Sequence, residues 1–190
     1  MLTKTQFFNK YLGQKIEYDG VAPYQCVDYL KLYLKKCYGI SPGSWGNAKD
    51  YFYRFNDKSW AGYEVMQRYF VLHKGKVIPK RGDIIILDGE YGHVGIADGR
   101  ADNKYYYMYE QNYMSNKFVE YNKHIFNKSY LGVLRPKFFT VTEDLNIRKS
   151  ASSNSPVIGE YKKYSFVEIL DKVNPWWKTA KGYCYYKYFD

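Results

Sequence analysis

Four residues carry side chains, in an order along the chain, that could perform nucleophilic chemistry: Cys26, His93, Glu110 and Asn112. Cys26 lies in EYDGVAPYQCVDYLKLYLKK (residues 17–36), where a polar loop containing Gly20 runs into a segment whose Val27, Leu30, Leu34 and Cys37 recur at helical spacing. Lys31, Lys35 and Lys36 crowd its C-terminal end, where the helix dipole favours cations, and Gly39 stops it. A thiol in the first turn of a helix faces unpaired N–H groups and the positive end of the dipole, an environment that suits a nucleophilic thiolate. A cysteine without a partner base is more often a small buried apolar residue, so the base has to come from elsewhere in the chain.

Among the three histidines, His93 has the most pointed context. It lies in GDIIILDGEYGHVGIADG, at the start of a strand that follows the tight turn Gly89–Gly92, which places it at a sheet end where it can face a helix N-terminus. His73, at a strand end, and His124, in a polar loop-like stretch, are expected on the surface. The next strand, KYYYMYEQN, ends in Glu110 and Asn112, two residues apart and so on one face, and either could accept the second imidazole N–H and fix the tautomer. Cysteine, histidine and an orienting carboxylate or amide are the parts of a thiol hydrolase.

The elements that must position these groups follow from composition and pattern. A chain of 190 residues with 46% hydrophobic content can build one large or two small cores. Its 21% aromatic content, with 24 tyrosines, suits polar polymers as well as cores. The net charge of +10 favours an anionic partner; +8 of it falls on residues 1–140 and +2 on residues 141–190. No basic run interleaved with aromatics suggests nucleic acid, and the longest apolar run, Ile84 to Leu87, excludes a membrane-inserted helix. Residues 1–13 lack the apolar core of a signal peptide and read as an amphipathic helix, capped by Thr3 with Gln6 three residues on and with Phe7, Phe8, Tyr11 and Leu12 inward. Synthesis in the cytoplasm without a signal peptide is the corresponding expectation. Three cysteines argue against a disulfide scaffold, and Cys26 and Cys37 are separated by about 16 Å along one helix, too far to bridge. Cys37 and Cys184 are expected in cores.

Further along, Asn47–Phe55 restarts a helical pattern capped by Asn47, beside a packed Trp45. Short β-type runs then follow at residues 69–73, 77–79, 83–87, 93–98 and 104–110, with 131–134 closing the sheet. Helices first and a strand meander after them predict an α+β unit with the helices on one face of an antiparallel sheet. Arg135, Pro136 and Lys137 mark a seam, giving domains 1–137 and 138–190. Strand candidates at 145–148, 157–159, 167–170, 176–180 and 183–186 predict a small all-β barrel for the second.

The segments YQCVDYL, GSWGNAKDY, PKRGDIIIL, GHVGIADG and YEQN, in this order, resemble the CHAP family of cysteine amidases and peptidases that cut bacterial peptidoglycan, over residues 5–136. The resemblance implies a papain-like, NlpC/P60-like fold, with Cys26 as nucleophile, His93 as general base and acid, and Glu110 with Asn112 as orienting residues. The tail, with LNIRKSASSNSPVIGEY, VEIL and WWKTAKGYCYYKY, resembles a bacterial SH3 (SH3b) domain, a companion that binds cell walls, although Tyr183 and Cys184 stand where a Trp-Val pair is more typical. Together they resemble a phage endolysin. The implied partners are Gram-positive peptidoglycan and anionic wall polymers, met by a protein made in the host cytoplasm and acting on the wall. The rival readings are a catalytically inactive wall-binding module and an intracellular papain-like peptidase.

The loop before Cys26 carries a second pattern. With Glu17 at position one, Asp19 falls at three, Val21 at five, Pro23 at seven and Asp28 at twelve, the ligand spacing of an EF-hand calcium loop. Ala22 stands where that loop has glycine, and Asp28 where it has glutamate. Some CHAP endolysins resemble this in holding calcium with an acidic loop at the same place. Calcium bound by the Glu17, Asp19 and Asp28 carboxylates and the Val21 and Pro23 carbonyls is the expectation; the alternative is a solvated acidic turn.

Overall fold

A computed structural model describes residues 1–190, the side chain of Val173 excepted. The chain divides into two compact units, one of residues 6–136 and one of residues 137–190 together with Met1–Thr5. The first five residues thus group with the second unit, where the Lys4 N–H donates to Asp190 Oδ2 at 2.6 Å.

Helix α1 (Lys4–Tyr11) enters the larger unit at Gln6, and with α2 (Cys26–Tyr38), α3 (Asp50–Tyr53) and α4 (Tyr63–Tyr69) it precedes six antiparallel strands. These are β1 (Phe70–Lys74), β2 (Ile84–Leu87), β3 (His93–Ala101), β4 (Tyr105–Tyr113), β5 (Asn116–Ile125) and β6 (Tyr130–Pro136), in the order β1-β6-β2-β3-β4-β5. The meander therefore covers β2 to β5, and β6 returns to lie between β2 and β1. Helix α2 packs on β3 and β4. Phe7 and Phe8 of α1, Tyr29 and Tyr33 of α2 and the four apolar residues of β2 are buried. Phe8 stacks on Tyr109 of β4 with ring centroids 4.2 Å apart. The opposite face of the sheet closes over Ile85, Leu87, Ala97, Tyr106, Met108, Tyr130 and Val133.

Several local expectations are corrected. Leu12 lies beyond the end of α1 and is exposed. The helix expected over residues 47–55 is only the four residues of α3, and Asn47 gives its backbone N–H to Asp50 Oδ2 rather than capping with its side chain. Residues 77–79 form no strand, Tyr69 ends α4, and α4 itself lacked a clear apolar stripe. Strand β5 escaped the sequence reading because its turn, Met114–Ser115, takes positive φ (48° and 69°) without the Asn-Gly signature.

The smaller unit is all-β: β7 (Phe138–Thr140), β8 (Leu145–Arg148), β9 (Val157–Tyr161), β10 (Phe166–Glu168), β11 (Asp171–Val173), β12 (Trp176–Thr179) and β13 (Gly182–Tyr185), then a 3₁₀ turn at Tyr186–Tyr188. A five-stranded sheet, β11-β12-β13-β8-β9, and the pair β10-β7 enclose Val141, Leu145, Ile147, Val167 and Cys184.

Candidate active site

Helix α2 begins at Cys26, with Gln25 as its N-cap in extended conformation. Asp28, three residues on, accepts the Gln25 backbone N–H at 2.7 Å, which fixes where the helix starts and hence where the thiol stands. Gly39 closes the helix at φ 68°. His93 opens β3 directly after the turn at residues 88–92. At Gly92 (φ 70°) a Cβ would lie 2.6 Å from the Lys49 N, so only glycine lets this turn press against the 47–49 segment. Cys26, His93, Gln25, Asn47, Tyr91 and Asn112 line one cleft of about 570 Å³.

His93 Nε2 lies 2.7 Å from Glu110 Oε2, and the Cys26 thiol stands in the same cleft as the imidazole, whose charge it favours. With Nε2 committed to Glu110, the nitrogen left for the thiol is Nδ1. Burial works against charge on His93, but the hydrogen bonds and charges of Cys26 and Glu110 outweigh it and push the imidazole up to about 9. Glu110 is fully buried; burial alone would raise its carboxyl, yet the His124 and His93 hydrogen bonds hold it below its ordinary value. The site therefore pairs a thiol with an imidazole whose charged form both Cys26 and the buried carboxylate favour.

Asn112 does not join this relay. A register shift between Gln111 and Tyr113 takes it out of the ladder, its φ is 61°, and its Nδ2 donates to Gln25 Oε1 at 2.7 Å. Same-face spacing from Glu110 fails at the bulge. Asn112 instead turns the Gln25 side chain beside the nucleophile.

Two further residues hold the site in roles that the sequence does not show. His124, expected on the surface, is a buried residue of β5 whose Nε2 lies 2.6 Å from Glu110 Oε1; it faces Glu110 only because β5 pairs Tyr106 with His124. Gln111, fully buried, accepts the Ile16 N–H at 2.7 Å and donates Nε2 to the carbonyls of Ile16 (2.8 Å) and Gln25 (2.9 Å). It thereby clamps both ends of loop 17–24. No spacing rule singles out either residue; both are defined by long-range register.

In that loop, carboxylate oxygens of Glu17, Asp19 and Asp28 lie within 4.8 Å of one another. Burial, then the like charges of Glu17 and Asp19, push Asp28 up to about 6 against the Gln25 hydrogen bond. Lys31, expected at the C-terminal end of α2, is buried and ion-paired with Asp19. Ala22 takes φ 48°, the left-handed conformation that the EF-hand glycine supplies at this position.

A family model of the CHAP domain matches residues 17–112, half of the chain, and that span holds Cys26, His93, Glu110 and Asn112. The chain belongs to the CHAP domain family. A bacterial SH3 domain model matches residues 143–190, within the all-β unit. This CHAP chain is 27% identical over 154 residues to endolysin PlyTW of Staphylococcus phage Twort, an alignment covering 74% of this chain and 30% of that endolysin. The chain thus aligns with under a third of the relative's length. A solved structure described as the crystal structure of Ly7917 with the hydrolyzing product of MDP has the same fold, at TM-score 0.50 and 16% identity, covering 97% of this chain and 94% of that one. Among the described residues no helix is long and apolar enough to cross a membrane.

Proposed function

We propose that this protein is a peptidoglycan hydrolase of the phage endolysin type, cutting an amide bond of a Gram-positive wall as an N-acetylmuramoyl-L-alanine amidase or a stem or cross-bridge endopeptidase. The observation that carries this is the relay from Cys26 through His93 to the buried Glu110, opening on a cleft of about 570 Å³. Likeness to a staphylococcal phage endolysin and the bacterial SH3 match support the choice of substrate.

Cys26 and His93 are the catalytic residues of this reading. His93 takes the proton of the Cys26 thiol as the reaction begins. The sulfur attacks the scissile carbonyl, and the tetrahedral oxyanion forms beside the N-terminus of α2, where the Cys26 backbone N–H donates to it. His93 gives its proton to the departing amine as the C–N bond breaks, leaving a thioester. Water then attacks the thioester carbonyl, His93 takes the water proton, the acyl C–S bond breaks with the sulfur staying on Cys26, and the acid product is released. Glu110 positions the imidazole and balances its charge throughout.

The acidic loop fits calcium: the carboxylates of Glu17, Asp19 and Asp28 with the carbonyls of Val21 and Pro23 form an all-oxygen donor set for a hard cation. The ion would neutralise charge crowded on Asp28 and tie the loop to the start of α2. The +8 charge of residues 1–140 suits approach to anionic wall polymers, and the SH3-like unit suits retention on the wall.

The test is digestion of purified Gram-positive peptidoglycan by wild type and Cys26→Ala, with products read by mass spectrometry. Fragments that depend on Cys26 are expected, and their new ends distinguish amidase from endopeptidase. Release of nothing from several wall types overturns the reading in favour of a wall-binding module.

A further inference from the structure

Glu110 has two carboxylate oxygens, and only Oε2 serves His93. Oε1 accepts from His124 Nε2 at 2.6 Å and from Asn122 Nδ2 at 3.0 Å. Both donors stand on β5, on the strand face that Glu110 occupies on β4. His124 is itself held: its ring stacks on Tyr106 at 5.3 Å and 14°, and Tyr113 meets it edge-on at 4.8 Å. The same Tyr113 ring lies 5.4 Å from His93, so one aromatic side chain touches both imidazoles.

The terminal torsion of a glutamate is soft, and a carboxylate bonded through one oxygen can swing. Donors on both oxygens remove that freedom and supply the hydrogen bonds that a fully buried carboxylate needs. Asn122 alone would satisfy Oε1 as an acceptor. The imidazole adds a second, shorter contact on a rigid ring packed between two aromatic side chains.

We propose that His124 is a positioning residue for the catalytic pair: by holding Glu110 Oε1 it sets the carboxylate so that Oε2 meets His93. The catalytic consequence rests on Cys26 and His93 being the reacting pair; the positioning of Glu110 does not. The titratable groups facing His124 are Tyr106, Glu110 and Tyr113 from β4 and Glu120 from its own strand, with His93 of β3 beyond Glu110.

The test uses the full chain with isotope-labelled histidine, followed by NMR titration of the imidazoles alongside kinetics. His124→Phe keeps a ring between Tyr106 and Tyr113 but has no donor; it is expected to move the His93 midpoint toward that of an ordinary histidine. It should also lower kcat about tenfold with KM within about twofold. His124→Gln, which restores an N–H donor, should recover most of both. A folded His124→Phe protein with an unmoved His93 midpoint and kcat within about twofold of wild type overturns the proposal. If that variant does not fold, the wild type decides: a His124 Nε2–H that gives no downfield, slowly exchanging proton signal overturns the proposal equally. A His93 midpoint that moves in His124→Phe, in a protein that releases nothing from walls, would instead strike the hydrolase reading and leave the positioning of Glu110 standing.

Discussion

His93 turns Nε2 toward Glu110 Oε2, 2.7 Å away, and so presents Nδ1 to Cys26. This orientation depends on a carboxylate, which can only accept. Glu110→Gln keeps the shape but removes the charge and offers an N–H that can favour the opposite tautomer. Its kcat on soluble wall fragments is expected to fall by a factor on the order of 10² to 10⁴ with KM little changed. A loss below about threefold would show that Glu110 is not what holds the imidazole.

The charge on His93 also links to stability. Its folded value of about 9 stands above that of an unfolded histidine, so folding favours the protonated form. The contribution is therefore fully present below about pH 6.5 and is lost as pH rises through about 9. The difference in Tm between wild type and His93→Gln should be largest at the acid end of that window and narrow toward pH 10. Glu110, held low by the same contacts, adds its own loss only as pH falls through its folded value. A difference in Tm that is flat from pH 6 to 10 would contradict a folded His93 raised above its unfolded value.

The cysteines should separate cleanly in labelling. Cys184 is fully buried and burial pushes its thiol up to about 11, Cys37 lies in the core under α2, and Cys26 lines the cleft. Iodoacetamide is expected to modify Cys26 alone in the native protein, with loss of activity in parallel, and all three after denaturation. Native labelling of Cys184 at a rate comparable to Cys26 would refute this packing.

Legibility in the sequence followed the range of the interactions. Helix α2 was readable because its apolar period, its Gly39 stop and its polar entry are local signals, and β2 and β3 because Ile84–Leu87 and the glycine turn before His93 are as well. What failed was register. Asn112 left Glu110's face through a bulge, β5 began at a Met-Ser turn without glycine, and His124 consequently looked like a loop residue. The partners of Glu110 on β5 and the clamp by Gln111 are set by which strand neighbours which, information that no window of adjacent residues holds.

Gln111 offers a test of that long-range wiring. It bonds the backbone at Ile16 and Gln25 while its neighbours Glu110 and Asn112 reach His93 and the Gln25 side chain. Gln111→Leu fills a similar volume but leaves the Ile16 N–H and two carbonyls without their side-chain partner. A loss of about 2–4 kcal/mol in chemical denaturation is expected. Protease cleavage within residues 17–24 should increase before the global transition. Unchanged cleavage of that loop would mean that Gln111 is a core residue without a clamping role.

The acidic loop makes the last prediction. Glu17, Asp19 and Asp28 bring three carboxylates within 4.8 Å, and Lys31 pairs only with Asp19, so the like charges remain a cost that a divalent ion removes. Adding millimolar calcium after EDTA treatment should raise Tm, and the gain should grow with the logarithm of calcium concentration once the site is saturated. Magnesium, which demands a tighter octahedron and gives up water reluctantly, should give much less. Asp28→Asn keeps an oxygen for the Gln25 N–H, so the start of α2 survives, and it relieves the crowding without metal. That variant should match or exceed the wild-type Tm in EDTA and lose most of the calcium response. A wild-type Tm indifferent to calcium at pH 7.5 would return the three carboxylates to the role of a solvated turn anchored by Lys31.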